Sequence, residues 1–298
     1  MTGLRSIGKF QYRTPNSLTE VLKILEMPTL AGKILSGGTD LILQMKQGLL
    51  SPSLIIDVKQ VPELNRLEWD PQRGLRLGAA VPLSRLLAFT ELPKEFSLLL
   101  QACSLIGSMQ IKNRGTVGGN ICNAAPSADS APPLLCLGAR VILASSQVTR
   151  TMTLDDFFLA PGKTALAEHE LLLEIEVPMP PAPSAGCYLR HTAREEMDIA
   201  VAGVAAFLTL SSKNGQLQSA RIALGAVAPT PIRAYGAEAT LVGKAVTPEL
   251  IEQAAERAAG EADPISDLRG SSEYRRELVR VLTRRALRSA CKELGIKV

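Results

Sequence analysis

Val21, Leu22, Ile24 and Leu25 repeat at helical spacing directly behind Ser17-Leu18-Thr19-Glu20. A serine there accepts from the N–H three residues on, and the glutamate reaches back, so the pattern predicts a capped helix. Short apolar runs bounded by turn residues predict strands at 10–12, 33–35, 54–57 and 75–80. Leu98, Leu99, Ala102, Leu105 and Ile106 return to helical spacing, and residues 141–144 and 171–177 again read as strands. Thr39 or Asp40 is expected to cap a short helix ending at Gly48. Asp129 or Ser130 is expected to start another, with Pro132 in its first turn. Pro178, Pro180, Pro181 and Pro183 then remove four backbone donors within six residues, which places a domain boundary there.

Beyond the boundary, strands are predicted at 188–192, 200–210 and 217–227, with Asn214-Gly215 as a hairpin turn between the last two. Thr247-Pro248 opens a helix, and a long helix covers 272–294. Strands followed by helices make the fold class α+β. The expected organisation is a two-lobed ligand-binding domain, residues 1–57 and 58–177, followed by a C-terminal α+β domain of antiparallel sheet and helices, residues 178–298.

Composition narrows the function. A net charge of +4 and an aromatic content of 4% argue against a nucleic-acid binder, which would need a concentrated basic surface or stacking platforms. The longest apolar stretch, residues 200–208, falls far short of the roughly 18 residues of a membrane helix, so a cytoplasmic protein is expected. Cys103, Cys122, Cys136, Cys187 and Cys291 form no C-x-x-C pair, so no metal site is expected and free thiols are. His169 and His191 have no G-x-S-x-G serine beside them, so no catalytic residue is assigned.

Two glycine runs carry the chemistry. The first spans Leu35, Ser36, Gly37, Gly38, Thr39 and Asp40. The second begins Gly115-Thr116-Val117-Gly118-Gly119-Asn120 and continues through Asn123 to Asp129. Such runs bare backbone N–H groups, and successive N–H groups form concave anion sites. Two of them suggest a ligand with more than one phosphate. Gly37, Gly38, Thr39, Gly118 and Gly119 would hold it by backbone, with Thr116 and Asn120 adding side-chain bonds. Asp129 suits a ribose or ribityl hydroxyl, because a carboxylate accepts hydrogen bonds and repels phosphate. Neither run reads G-x-G-x-x-G, and Gly162-Lys163-Thr164 has Phe157 where a P-loop needs glycine.

Residues 36–41 with Met45-Lys46-Gln47-Gly48 resemble the first FAD loop of the molybdenum hydroxylase flavoproteins, the medium subunits of carbon monoxide and xanthine dehydrogenases. Residues 106–108 and 111–120 resemble the second, in the same order. Residues 194–200 are similar to the strand that approaches the flavin, and residues 265–276 to the segment before the last helix. The resemblance implies an FAD-binding domain of the PCMH (vanillyl-alcohol oxidase-like) type. It implies Ile106 and Leu172 around the adenine or dimethylbenzene end, Arg190 near the cofactor, and Ile199 against the isoalloxazine. Leu172 and Ile199 also read as plain strand core. Arg190 stands where several relatives carry lysine.

The implied role is electron transfer in a complex. A large subunit would carry the molybdenum cofactor, a small subunit two [2Fe–2S] clusters, and this chain FAD, assembled as a dimer of heterotrimers. Electrons would pass to NAD, a quinone, oxygen or another soluble acceptor. The alternative is a self-contained FAD oxidoreductase of the same cofactor fold, which would need a substrate-side acid, tyrosine or covalent histidine near the flavin. Arg276, Arg280, Arg284 and Arg288 share one face of the last helix, either as a solvated face or as a docking stripe for an acidic partner.

Overall fold

In the computed structural model the described residues are 7–27, 32–194, 197–211 and 215–298. Asn214, Glu195 and Glu196, on which parts of the hairpin and flavin-strand readings fall, lie outside them. The chain opens with β1 (Gln11–Arg13), α1 (Leu18–Leu25), β2 (Gly32–Leu35), α2 (Leu41–Lys46) and β3 (Leu54–Asp57). β3 lies between β1 and β2 and is parallel to both. The α1 cap forms, with Ser17 Oγ accepting from Glu20 N at 3.3 Å. Glu20 reaches one residue further back than expected, to the N–H of Asn16.

Next come β4 (Leu67–Asp70), β5 (Gly74–Gly78), α3 (Leu83–Leu87), α4 (Ser97–Ser104), α5 (Met109–Lys112), α6 (Val117–Asn123) and α7 (Ala131–Cys136). They are followed by β6 (Arg140–Ala144), β7 (Thr149–Thr153), β8 (Phe158–Ala160), β9 (Lys163–Thr164) and β10 (Leu171–Val177). A five-stranded antiparallel sheet runs β4-β5-β10-β6-β7. The strand expected at 75–80 ends at Gly78, where the backbone turns away to carry Ala79 and Ala80 under the second glycine run. That run was expected as a loop, but Gly118 and Gly119 lie in the first turn of α6.

The remainder comprises β11 (Ser184–His191), β12 (Ala202–Leu210), β13 (Leu217–Gly225), β14 (Ile232–Arg233), α8 (Tyr235–Leu241), α9 (Pro248–Glu261) and α10 (Ser272–Glu293). Its sheet is antiparallel in the order β11-β12-β13-β14. β11 starts four residues earlier than expected, since Ser184 directly after Pro183 already pairs with Thr209.

This sheet is buried on both faces, which explains the unbroken apolar run of β12. Val204, Ala206 and Leu208 face α8–α10 in one core. Tyr188, Ala205, Phe207 and Ala223 face the other way and join the core beneath α4, α6 and α7. Ala254, Ala258 and Ala259 of α9, with Ala286 and Ala290 of α10, supply the small side chains that let these helices sit close in the first of those cores. Thr247 and Ser271 cap them, accepting from Leu250 N and Tyr274 N.

Candidate cofactor site

The two glycine runs touch. A Cβ on Gly37 would overlap the Arg114 carbonyl oxygen and stand 2.8 Å from Cα of Gly115. Ser36 Oγ lies 3.2 Å from Thr116 Oγ1 and donates to the Ala79 carbonyl at 3.3 Å. Gly118 is pressed on the same residue, its Cβ position being 2.6 Å from Cα of Ala79. Gly37 and Gly118 are therefore required first by backbone-to-backbone packing. Gly119 differs, because the only atom near its Cβ position is Thr116 Oγ1, at 3.0 Å.

The N–H groups of Gly37, Gly38, Thr39 and Gly118 are used by no hydrogen bond among the described residues. The Gly119 N–H is taken by Thr116 Oγ1 at 2.9 Å, the N-cap of α6. Gly38 holds φ +79°, which directs the turn between β2 and α2. Asp40 stands at the N-cap position of α2, yet neither it nor Thr39 caps by side chain; Thr39 Oγ1 donates to Asp40 instead. Leu35 points into a small core with Met45 and Ile55. A cavity of about 90 Å³ opens between the runs, lined by Ser36, Lys59, Asn65, Asn113 and Arg114 among others. Lys59 there is paired with Asp57 at 2.6 Å.

The far end of the second run is tied down by other elements. Asn120 Oδ1 accepts from Ser130 Oγ at 2.6 Å. Asp129 is 8% exposed, with Oδ1 accepting from Tyr188 Oη at 2.6 Å and Oδ2 from Arg190 Nη1 at 2.5 Å. Burial pushes the Asp129 carboxyl above its ordinary value, against the opposing pull of the Tyr188 bond and the Arg190 charge. Burial likewise raises the Tyr188 phenol well above its usual 10, so it remains a donor.

A family model described as the FAD binding domain in molybdopterin dehydrogenase matches residues 8–180, and one described as the CO dehydrogenase flavoprotein C-terminal domain matches residues 188–290. The chain belongs to this flavoprotein family. The glyceraldehyde dehydrogenase medium chain of Sulfolobus acidocaldarius is 34% identical over 280 residues, 94% of this chain and 98% of that one. The xanthine dehydrogenase FAD-binding subunit of Escherichia coli O157:H7 is 32% identical, covering 89% of this chain and 91% of its own. A solved carbon monoxide dehydrogenase chain from Hydrogenophaga pseudoflava superposes with TM-score 0.91 at 33% identity, covering 96% of this chain and 98% of that one.

As a molybdopterin dehydrogenase flavoprotein, the chain is an oxidoreductase component whose cofactor is FAD. The residues present fit that group. Unused N–H donors on two adjoining runs suit a diphosphate, and Asp129 keeps lone pairs for a hydroxyl. Asn123 ends α6 just before Ala124, which adopts φ +47°. Ile106 is half-buried against the main core, and Leu172 on β10 is fully in it. Ile199 is 49% exposed, unlike a core strand residue. Nearby, the buried Arg275 donates to the Val201 carbonyl at 2.8 Å and to Asp267 at 2.6 Å, holding residues 267–270 beside that segment.

Arg190 was expected to approach the cofactor. Its guanidinium binds Asp129 and the Leu105 carbonyl, the latter at 2.9 Å. Sequence reasoning missed Tyr188, although its position two residues before Arg190 on a strand puts both on one face. The arginines of α10 also have local work. Arg280 and Arg284 both bind Glu252 of α9, at 2.6 and 3.1 Å, and Arg280 binds Glu277. No helix among the described residues is long and apolar enough to cross a membrane.

Proposed function

We propose that this chain is the FAD-carrying electron-transfer subunit of a molybdenum hydroxylase complex, working with a molybdenum-cofactor large subunit and a [2Fe–2S] small subunit. The observation that carries the reading is the backbone contact between the two glycine runs, whose N–H groups at Gly37, Gly38, Thr39 and Gly118 are used by no hydrogen bond among the described residues. The medium-chain names of the relatives support the multi-subunit setting. FAD, when bound, takes electrons singly and passes them on to NAD, a quinone, oxygen or another soluble acceptor.

The protein's own part is binding and orientation. Gly37, Gly38, Thr39 and Gly118 donate backbone N–H groups to the diphosphate. Gly119 leaves space, and Thr116 orients the first turn of α6 by capping it. Asp129 accepts from a sugar or ribityl hydroxyl. Ile199 supplies exposed apolar surface for the isoalloxazine, and Ile106 borders the adenine or dimethylbenzene end. The cofactor domain comprises residues 1–57 and 58–177, and residues 178–298 close it from the C-terminal side.

Co-expression with its genomic neighbours tests the reading. Recovery of both partners by pull-down, with loss of visible flavin absorbance when substrate for the large subunit is added, is expected. A chain that elutes alone and oxidises a small organic substrate unaided would establish the self-contained oxidoreductase instead.

A further inference from the structure

We propose that Tyr188 and Arg190 are positioning residues for FAD, acting through Asp129 and the Leu105 carbonyl without touching the cofactor. This rests on the FAD reading of the site. Both residues lie on one face of β11, in the C-terminal sheet, and both reach across into the cofactor domain. Tyr188 Oη engages one Asp129 oxygen at 2.6 Å, and Arg190 Nη1 the other at 2.5 Å. Each oxygen retains acceptor capacity for a ligand hydroxyl, but the carboxylate can no longer rotate freely.

Arg190 has a second hold. Its Nη2 donates to the Leu105 carbonyl at 2.9 Å, immediately before Ile106 and Gly107. One side chain thus sets the spacing between the 105–107 turn and Asp129. The Arg190 side chain is only 7% exposed, and the two groups it binds both belong to the protein. Gly203 pairs with Arg190 across the sheet, and a Cβ there would stand 2.7 Å from Tyr188 Oη. The glycine keeps room for the phenol.

Three titratable groups face Asp129. Tyr188 and Arg190 come from β11. Cys103 comes from α4, and burial pushes its thiol up to about 12, so it stays neutral. Arg190 is the one charge among them. Burial raises the Asp129 carboxyl, and the Tyr188 bond is the first influence opposing that rise. Loss of the phenol should therefore let Asp129 take up a proton as the pH falls.

The experiment measures FAD affinity of the full chain by flavin fluorescence, from mildly acid to mildly alkaline pH. Arg190→Met and Asp129→Asn should each weaken binding roughly 10- to 100-fold, the range for losing a charge-assisted hydrogen bond. The double variant should lose less than the two single losses combined, because the Asp129 contact is common to both and only the Leu105 hold belongs to Arg190 alone. Additive losses would show that Arg190 meets the cofactor itself and overturn the proposal. Tyr188→Phe should bind progressively worse at lower pH, and Tyr188→Phe combined with Asp129→Asn should lose that pH dependence. Affinity of Tyr188→Phe equal to the unsubstituted chain at every pH also overturns it. Gly203→Ala, which displaces the phenol while leaving Arg190 in place, gives the same readout if Tyr188→Phe fails to fold. If the unsubstituted chain takes up no FAD, the FAD reading itself falls; if it binds FAD and the variants bind equally well, only the positioning roles fall.

Discussion

Gly37 and Arg114 meet backbone to backbone, so that any side chain on Gly37 would overlap the Arg114 carbonyl oxygen. The contact joins two segments far apart in the chain and makes a glycine a packing requirement before it is a ligand requirement. Gly37→Ala should therefore destabilise the apoprotein itself, by about 1–3 kcal/mol, the usual cost of forcing an extra methyl into a packed site. Thermal melting without FAD checks this. An unchanged melting temperature would mean that the runs are free to part.

Gly119 gives the opposite expectation. Its Cβ position meets only Thr116 Oγ1 at 3.0 Å, and alanine is favoured over glycine in a helix by about 1 kcal/mol. Gly119→Ala should leave apoprotein stability within about 1 kcal/mol, while Gly119→Val should abolish FAD binding by filling the cofactor's space. Melting and flavin titration on the same samples separate the two effects. Stoichiometric FAD on folded Gly119→Val would reassign the run.

The cofactor should be held noncovalently. Cys122, in the second run, is half-buried, and its thiol is pushed up to about 12 by burial, which suppresses the thiolate needed for a flavin linkage. Acid precipitation of holoprotein should leave all flavin in the supernatant. Colour remaining on the pellet would refute the expectation.

Glu170 offers a pH test independent of FAD. Its hydrogen bonds from Arg150, at 2.6 and 2.7 Å, hold its carboxyl below the ordinary 4.5. A folded-state value below the unfolded one contributes stability above the unfolded value and loses it as pH falls through the folded one. Glu170→Gln should thus melt lower than the parent at neutral pH, with the difference shrinking below pH 4.5. A constant difference in acid would show that the ion pair is not the source.

The arginines of α10 were open to two readings, solvated face or docking stripe, and Glu252 supplies a third. Arg280 and Arg284 clamp α10 to α9 through it. Arg280→Glu with Arg284→Glu should lower the melting temperature modestly, by setting like charges against Glu252 and Glu277. Added salt should reduce the effect, because the pairs are solvent-accessible. Impaired subunit assembly with unaltered melting would restore the docking reading.

Much of the architecture was legible locally. The caps at Ser17 and Thr247 depend on residues three apart, and a hydroxyl finds the N–H three residues on whatever surrounds it. The glycine runs were legible because few other residue types permit such turns. Their α6 helix was not, since two adjacent glycines disfavour helix and only packing on Ala79 with the Thr116 cap overcomes that cost.

The sequence by itself determined the capped helices α1 and α9, the long strands such as β10 and β12, the two glycine runs and the presence of Asp129 and Arg190, because each is written in a short window of residue types. Only the tertiary structure decided what those residues do for one another. Tyr188 and Arg190 reach Asp129 across 59 and 61 residues of chain, and Arg280 reaches Glu252 across 28. The physical reason is burial. A buried carboxylate must be hydrogen-bonded, and its partners are selected by which strand face or helix packs over it, a choice made by the whole core and not by neighbours in sequence.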